Sequence, residues 1–331
     1  MYKVISTFSG CGGSSEGYKL AGLNVLGSVE FIDFQAQNYR LNHPNTRLYE
    51  EDIRKLDPKK IMLDLGLKEG ELDIFDGSPP CSSFSISGKQ DKLWGKVKKY
   101  SNRAQRTDDL FEEYIRFISI IKPKIFIAEN VAGLTMGTSK SYLKFISKEL
   151  SNLGYKVKAK ILNAANYKVP QIRTRLFIVG VRNDINIEYN YPTPKKGVIT
   201  LKEAFRDIKN TKEDLEEVNI ERFAVYNRLV KLKYGESDTK RFNLLKLDPN
   251  KPSNTITAGA GNLGAASICH WDNRKLTVKE AKTIQTFSLD YKLLGNYQQQ
   301  IEGIGRSVPP LLMKEVALEA KKVLDKYYEI H

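Results

Sequence analysis

Lys3-Val4-Ile5-Ser6-Thr7-Phe8-Ser9-Gly10-Cys11-Gly12-Gly13-Ser14-Ser15-Glu16-Gly17 is the stretch whose reading decides the fold. Lys3–Phe8 is a β-rich run that breaks at Ser9-Gly10-Cys11-Gly12-Gly13. Ser14, Ser15 and Glu16 then offer helix-capping side chains, and Gly17–Ala21 reads as a short helix ending at Gly22. A glycine loop between a strand and a helix lets a ligand approach the backbone at a helix N-terminus. The dinucleotide fingerprint wants glycine at positions 10, 12 and 15, but position 15 is serine, and no Gly-Lys-Ser/Thr follows to make a phosphate loop. An adenosine-type ligand without a pyrophosphate fits better. Glu30, ending the next strand, is placed for ribose hydroxyls. The plain alternative is a tight turn beside a surface carboxylate.

Outward from this loop the same rhythm repeats. Strands are expected at Val25–Glu30, Leu72–Gly77, Lys124–Ala128, Val157–Leu162 and Leu176–Val181. Helices are expected at Phe34–Leu41, Leu110–Ile121 and Tyr142–Leu153. Leu110, Tyr114, Phe117 and Ile121 share one face of the second of these. The pattern predicts an α/β fold with a doubly wound, mostly parallel sheet, whose ligands sit beyond the carboxyl ends of the strands. After about residue 188 the rhythm fails, and a smaller irregular domain follows. Helical patterning returns at Thr277–Phe287 and Pro309–Tyr328, the latter with Leu312, Val316, Ala320, Val323 and Tyr327 on one stripe.

Composition narrows the function. Lys plus Arg is 53 against 39 Asp plus Glu in 331 residues, a net charge of +14 that favours a polyanionic partner such as nucleic acid. Cys11, Cys81 and Cys269 are too few and scattered for a disulfide scaffold. His43, His270 and His331 leave little material for a metal site, and no metal is expected. No apolar run is long enough to span a membrane, and Met1–Phe8 lacks a signal-peptide layout, so a cytoplasmic setting is expected, nucleoid-associated in a prokaryote. Nothing reads as a coiled coil, and a monomer is the default.

Cys81 follows Asp76-Gly77-Ser78-Pro79-Pro80 directly after a strand. Two prolines stiffen the entry and present the thiol at the sheet edge. Residues 82–106 hold Lys89, Lys92, Lys96, Lys98, Lys99, Arg103 and Arg106 against Asp91 alone, with Trp94 and Tyr100 interleaved. Nearby positive charge favours thiolate and grips phosphates; the plain reading is a solvated basic loop beside an inert thiol. A cysteine hydrolase would pair the thiol with histidine, yet neither internal histidine ends a sheet strand. Glu129, in Ala128-Glu129-Asn130-Val131, is the alternative acid–base partner unless it merely caps a turn. Arg173 and Arg175, in Gln171-Ile172-Arg173-Thr174-Arg175, point to one face and suit carbonyl or phosphate oxygens; an ordinary surface pair is the alternative.

At these residues the chain resembles the DNA (cytosine-5)-methyltransferase family. Phe8-Ser9-Gly10-Cys11-Gly12-Gly13 matches its first motif, and Pro80-Cys81, followed by Phe84-Ser85-Ile86-Ser87-Gly88, its nucleophile motif. Glu129-Asn130-Val131 matches its Glu-Asn-Val triplet, and Gln171, Arg173 and Arg175 its Gln-x-Arg-x-Arg motif. Leu276-Thr277-Val278-Lys279-Glu280 and Gly305-Arg306-Ser307-Val308-Pro309-Pro310 resemble its late motifs. Together these cover nearly the whole chain in the family's order, except roughly 190–250.

The resemblance implies a Rossmann-like catalytic domain at 1–188 and 303–331, and a target-recognition domain at 189–302. It implies S-adenosyl-L-methionine as cofactor, leaving S-adenosyl-L-homocysteine, held among Phe8, Gly10, Cys11, Gly12, Gly13, Glu30, Phe31, Asp52, Ile53, Pro80, Leu110, Arg306 and Ser307. Phe8 would stack on the adenine, Glu30 would hold the ribose, Asp52 would meet the adenine amine and Leu110 would line the pocket. Cys81 would attack carbon 6 of a cytosine flipped out of double-stranded DNA, Glu129 would act at N3 and the exocyclic amine, and Arg175 would face the carbonyl oxygen with Arg173 beside it. Ser85, Ser87, Lys89, Thr257 and Arg241 are the expected DNA contacts, and Arg222–Lys246 the expected groove-facing surface. The resemblance implies either a restriction-modification system, with a separately encoded restriction endonuclease as partner, or a solitary modification enzyme. Arg306 stands where the family usually has asparagine, Ser82 where glutamine is commoner, the stretch between Glu30 and Ala36 is one residue longer, and Arg106–Phe111 is slightly off pattern. The alternatives are a tRNA cytosine-5 methyltransferase, whose Cys-Phe-Thr signature is not seen here, a catalytically silent DNA-binding relative, and a dehydrogenase on a similar sheet.

Overall fold

The structure, a computed structural model, describes residues 1–80, 109–137, 139–238, 240, 244–262 and 268–330, and the backbone of 98–100, 103–105 and 267. The chain divides into a larger unit, Met1–Leu162, Thr174–Thr193 and Met313–His331, and a smaller one, Asn163–Arg173 and Pro194–Leu312. In chain order the elements are β1 (Lys3–Thr7), α1 (Gly13–Leu20), β2 (Asn24–Val29), α2 (Asp33–Asn42), β3 (Arg47–Tyr49), α3 (Pro58–Asp64), β4 (Ile74–Gly77), β5 (Lys98–Tyr100), β6 (Arg103–Gln105), α4 (Leu110–Ile121), β7 (Ile125–Val131), α5 (Ser139–Asn152), β8 (Tyr155–Asn163) and β9 (Thr174–Arg182). There follow α6 (Leu201–Ala204), α7 (Lys212–Glu217), α8 (Tyr226–Leu229), β10 (Leu244–Lys246), β11 (Ser267–Cys269), α9 (Val278–Gln285), α10 (Tyr297–Arg306) and α11 (Pro310–Ile330).

Seven strands form one sheet in the order β3-β2-β1-β4-β7-β9-β8. β3, β2, β1, β4 and β7 run parallel, and β9 runs antiparallel to β7. The chain therefore builds outward one way from β1 and the other way from β4. In doubly wound sheets such a reversal is where connecting loops diverge and ligands bind beyond the carboxyl ends of the strands. The expected apolar face of α4 packs on the sheet: Leu110, Tyr114, Phe117 and Ile121 have no exposed surface. Phe75 stacks on Tyr114 and Phe117 with ring centroids 5.0 and 5.9 Å apart. The buried Tyr114 hydroxyl donates to the Phe75 and Ile127 carbonyls, so its polar tip is satisfied. α11 ties back to the start of the sheet, where Tyr328 Oη and Lys124 Nζ both reach the buried Asp73 carboxylate. Among the described residues no helix is long and apolar enough to cross a membrane.

The smaller unit is built from short pieces around Leu245, Leu247, Ile256, Ile268, Leu276, Ile284, Ile301 and Ile304. α6, α7, α9 and α10 start on side-chain caps, with reciprocal capping boxes at Thr211, Thr277 and Asn296. The division differs from the expected boundaries at 188/189 and 302/303 for local reasons. Tyr191 Oη donates to the Lys158 and Phe177 carbonyls and holds the segment to Thr193 on the larger unit. Ile172 N to Ser253 O (2.7 Å) and Ser253 N to Pro170 O (2.9 Å) pair 163–173 with the smaller one. Ile304 lies in the smaller unit's core, and Leu311 N donates to Thr286 Oγ1, which keeps 303–312 there.

Candidate active site

β7 runs to Val131, three residues past the expected end at Ala128, because its ladder with β9 continues to the pair Val131–Arg175. Glu129 lies opposite Phe177 in that ladder. Side chains two residues apart on a strand share a face, so Arg175 meets Glu129 diagonally across the two strands. Arg175 Nε lies 3.0 Å from Glu129 Oε1, with both side chains largely buried. Arg175 Nη1 also donates to the Thr174 carbonyl at 2.8 Å, which fixes the guanidinium plane.

The neighbouring Asn130 carries a role that the sequence reading did not give it. Its Nδ2 donates to Pro79 O at 3.1 Å, and its Oδ1 accepts from Val131 N at 2.8 Å. The amide pins the Pro79-Pro80 segment that leads out of β4 to the end of β7, which bears Glu129. Cys81, Ser85, Ser87, Lys89 and Arg241 lie outside the described residues, as does most of the basic segment 82–106.

At the end of β1 the backbone takes positive φ at Phe8 (54°), Gly10 (56°) and Gly12 (100°). Gly12 is the left-handed N-cap of α1, a conformation glycine adopts without strain. A Cβ added at Gly10 would meet nothing within 4 Å among the described residues, so the loop is open there on their side. Glu30 is 6 % exposed, and its carboxylate accepts from Gly10 N (2.6 Å) and Ile32 N (2.8 Å). It therefore clamps the glycine loop to the end of β2. Phe8 is half-buried against the core beside this loop. Cys11 is buried, and Gly13 opens α1. His43, at the end of α2, approaches the Gly12 backbone; burial, with Lys19 next, pushes its pKa down to about 3.

The other expected cofactor residues divide. Asp52 caps the turn at 53–55, accepting from Arg54 N at 3.1 Å and from Arg54 Nη1 at 3.0 Å. Arg54 also grips Asp109 through Nε at 3.1 Å and through Nη2, joining Asp52 to the residue before α4. Phe31 and Pro80 are half-buried. Ile53 and Leu110 lie inward of these residues. They are 2 % and 0 % exposed and pack in the core.

The Gln-x-Arg-x-Arg motif splits at the start of β9. Arg175 joins the larger unit's sheet, and Arg173 belongs to the smaller unit. Arg173 is 2 % exposed and donates through Nη1 to Ile256 O (3.0 Å) and through Nη2 to Gly305 O (3.1 Å). Gln171 accepts from Ile256 N at 3.0 Å and donates to Gln285 Oε1 at 2.6 Å. The two side chains brace the strand-like segment before Thr257. Thr257 is exposed and starts a turn closed by Ala260 N to Thr257 O at 3.0 Å. Ser307 Oγ donates to Gly303 O, and Arg306 pairs with Glu302 at 2.8 Å on α10. Within Arg222–Lys246 the basic residues differ in exposure. Lys246, on β10, is 4 % exposed, and the half-buried Arg228 pairs with Asp238. Arg222, Lys231, Lys233 and Lys240 remain exposed.

This geometry can be set beside known proteins. The profile of the C-5 cytosine-specific DNA methylase family matches residues 2–322. The type II methyltransferase M.DdeI of Desulfomicrobium norvegicum is 31% identical over 379 residues, covering 95% of this chain and 87% of that protein. The type II methyltransferase M1.HphI of Haemophilus parahaemolyticus is 29% identical, covering 95% and 85%. Two crystal structures share the fold. One, described as a DNA modification methyltransferase encoded within a prophage of E. coli, has a TM-score of 0.79 at 23% identity, covering 98% of this chain and 100% of that one. The other, a Spodoptera frugiperda DNMT2 mutant, has a TM-score of 0.71 at 18% identity with the same coverage. With its mostly parallel seven-stranded sheet, its ordered motifs and these relatives, the chain belongs to the C-5 cytosine-specific DNA methylase family and is a DNA cytosine-5 methyltransferase.

Proposed function

We propose that the protein methylates carbon 5 of a cytosine flipped out of double-stranded DNA at a specific sequence, using S-adenosyl-L-methionine, as the modification partner of a separately encoded restriction endonuclease. The observation that carries this reading is the Glu129–Arg175 pair at 3.0 Å, beside the Asn130 bond that holds the approach to Cys81. A carboxyl and a guanidinium fixed together on adjoining strands suit the N3, amine and carbonyl edge of a pyrimidine.

The residues present fit the cofactor. Among the described residues nothing crowds Gly10, Phe8 offers a half-buried ring, and the Glu30 carboxylate is an acceptor for ribose hydroxyls. When bound, that cofactor supplies an electrophilic methyl group. Cys81 adds as thiolate to carbon 6, and its electron pair makes carbon 5 nucleophilic. Glu129 holds a proton at ring N3 while that charge develops, and Arg175 fixes the carboxyl and faces the ring carbonyl. After carbon 5 has given up its proton to solvent, Cys81 leaves with the bonding pair and the ring regains its double bond. Arg173 acts as a positioning residue through Ile256 and Gly305, and the exposed Thr257 meets a phosphate near the target.

The test incubates the protein and S-adenosyl-L-methionine with unmethylated genomic DNA and, separately, with unmodified tRNA, then quantifies methylated nucleosides by mass spectrometry. 5-Methyldeoxycytidine in the DNA arm is expected, lost in Cys81→Ser and reduced about 10²–10⁴-fold in Glu129→Gln. Methylation of tRNA alone, or full activity in Cys81→Ser, overturns the reading.

A further inference from the structure

Three polar residues form one row across the centre of the sheet. Ser6 of β1 lies opposite Ser28 of β2 on one side and Asp76 of β4 on the other. Ser6 and Ser28 have no exposed surface, and Asp76 is 1 % exposed. A parallel sheet covered on both faces is ordinarily lined by Val, Ile and Leu, and a buried carboxyl is costly unless its oxygens are answered. Here both are. Ser6 Oγ donates to Asp76 Oδ2 at 2.7 Å, and the hydroxyl of Tyr18, buried on α1, donates to Oδ1 at 3.0 Å. Ser9 of the glycine loop folds onto the same row, with its Oγ 2.6 Å from Ser28 Oγ and donating to Ser6 O at 3.1 Å. The Asp76 carbonyl accepts from Thr7 Oγ1 at 3.0 Å. The glycine loop, the first helix and the strand leading to Cys81 therefore meet at one carboxyl. Burial above all, with Glu129 adding like charge, lifts that carboxyl to about 7, so a neutral amide is a close substitute for it.

We propose that Asp76 is a positioning residue for the cofactor: through Ser6 and Tyr18 it holds the glycine loop and α1 in the geometry that S-adenosyl-L-methionine requires, and so sets the affinity of that site. The proposal rests on the cofactor reading above. Neither Asp76 nor Tyr18 faces the loop's open side; each acts through the backbone it anchors.

The test titrates S-adenosyl-L-homocysteine into the folded full-length wild type, Asp76→Ala, Asp76→Asn and Tyr18→Phe. It also measures kcat and the KM for cofactor and for DNA. Asp76→Ala is expected to weaken cofactor binding about 10–100-fold and Tyr18→Phe about 3–10-fold, with the KM for DNA unchanged. Asp76→Asn should restore affinity to within about threefold of wild type, and Tyr18→Phe should add little to Asp76→Ala because both remove the same bond. Cofactor affinity within twofold of wild type in folded Tyr18→Phe and Asp76→Ala overturns the proposal. So does a rise of both KM values together, which general loosening would produce. If Asp76→Ala does not fold, Tyr18→Phe decides. A wild type that binds no S-adenosyl-L-homocysteine overturns the cofactor reading instead, and this inference with it.

Discussion

Gly305→Ala tests how tightly α10 is seated in the smaller unit. A Cβ at Gly305 would stand 2.4 Å from Thr257 O, 2.5 Å from Thr257 C and 2.8 Å from Ala258 N. Ordinary contact begins near 3.4 Å, so the gap must open by about 1 Å (3.4 − 2.4). The atoms in the way are backbone, and that backbone cannot retreat cheaply. Ile256 N donates to Gln171, Ile256 O accepts from Arg173, and Thr255 Oγ1 donates to Ile172 O. Moving α10 away instead stretches the Arg173 bond to Gly305 O. Overpacking of this kind costs about 1–3 kcal/mol, and a weakened buried hydrogen bond adds about 1 kcal/mol, so about 2–4 kcal/mol is expected. Urea denaturation followed by far-UV circular dichroism reads the loss as a lower midpoint at unchanged slope. Glu302→Ala, on the outer side of the same helix and in a partly exposed pair with Arg306, should cost at most about 1 kcal/mol. A Gly305→Ala protein within about 0.5 kcal/mol of wild type would refute the close approach and the bracing role of Arg173.

Two further outcomes follow from buried charges in the larger unit. Lys124→Met should destabilise by about 3–5 kcal/mol, because it removes the counter-ion of the Asp73 carboxylate, leaving the neutral donors Lys3 N and Tyr328 Oη, in a site where both ion-pair partners are under one-tenth exposed; adding Asp73→Asn should recover much of the loss in a denaturant series, and a mild single variant would contradict the pairing. The His43 pKa is depressed to about 3, burial being the main cause, so its contribution to stability is complete above its unfolded value of about 6.5 and is lost as pH falls toward 3. Melting temperatures taken between pH 7 and 4.5 should fall less steeply in His43→Gln than in wild type, since Asp76 and the other titrating groups are common to both; parallel slopes would show that His43 titrates normally.

How far the site could be read from the chain follows from what local pattern encodes. The face of α4 was legible because Leu110, Tyr114, Phe117 and Ile121 repeat at helical spacing, and all four are buried. Glu129 and Arg175 were legible as chemistry, but their meeting depends on β9 lying antiparallel to β7, which neither segment states by itself. The same reason hid the split between Arg173 and Arg175: β9 begins at Thr174, so the residue before it turns to other partners. α10 was missed because its buried face is Ile301, Gly303, Ile304 and Gly305, and glycines carry no apolar signal. β3 was missed because three residues are too few to show alternation.

The polar row at Asp76 shows the limit most directly. In the sequence, Ser6, Ser28 and Asp76 stand in three separate strands, each beside apolar neighbours, and each alone reads as an interruption. Only the order β2-β1-β4 makes them adjacent, and only the fold-back of Ser9 and the placement of Tyr18 on α1 satisfies their oxygens. A fully hydrogen-bonded network in such a place is demanding, since removing any member leaves the others buried without a partner. Replacing Ser6 by Ala should therefore cost more than the net worth of one hydrogen bond, because it leaves Asp76 Oδ2 unanswered. Replacing the row with apolar side chains of similar volume should restore stability while leaving the glycine loop unanchored. Stability and cofactor affinity would then part company, and that separation is the signature of a polar row that sets a loop's geometry without being needed to hold the sheet together.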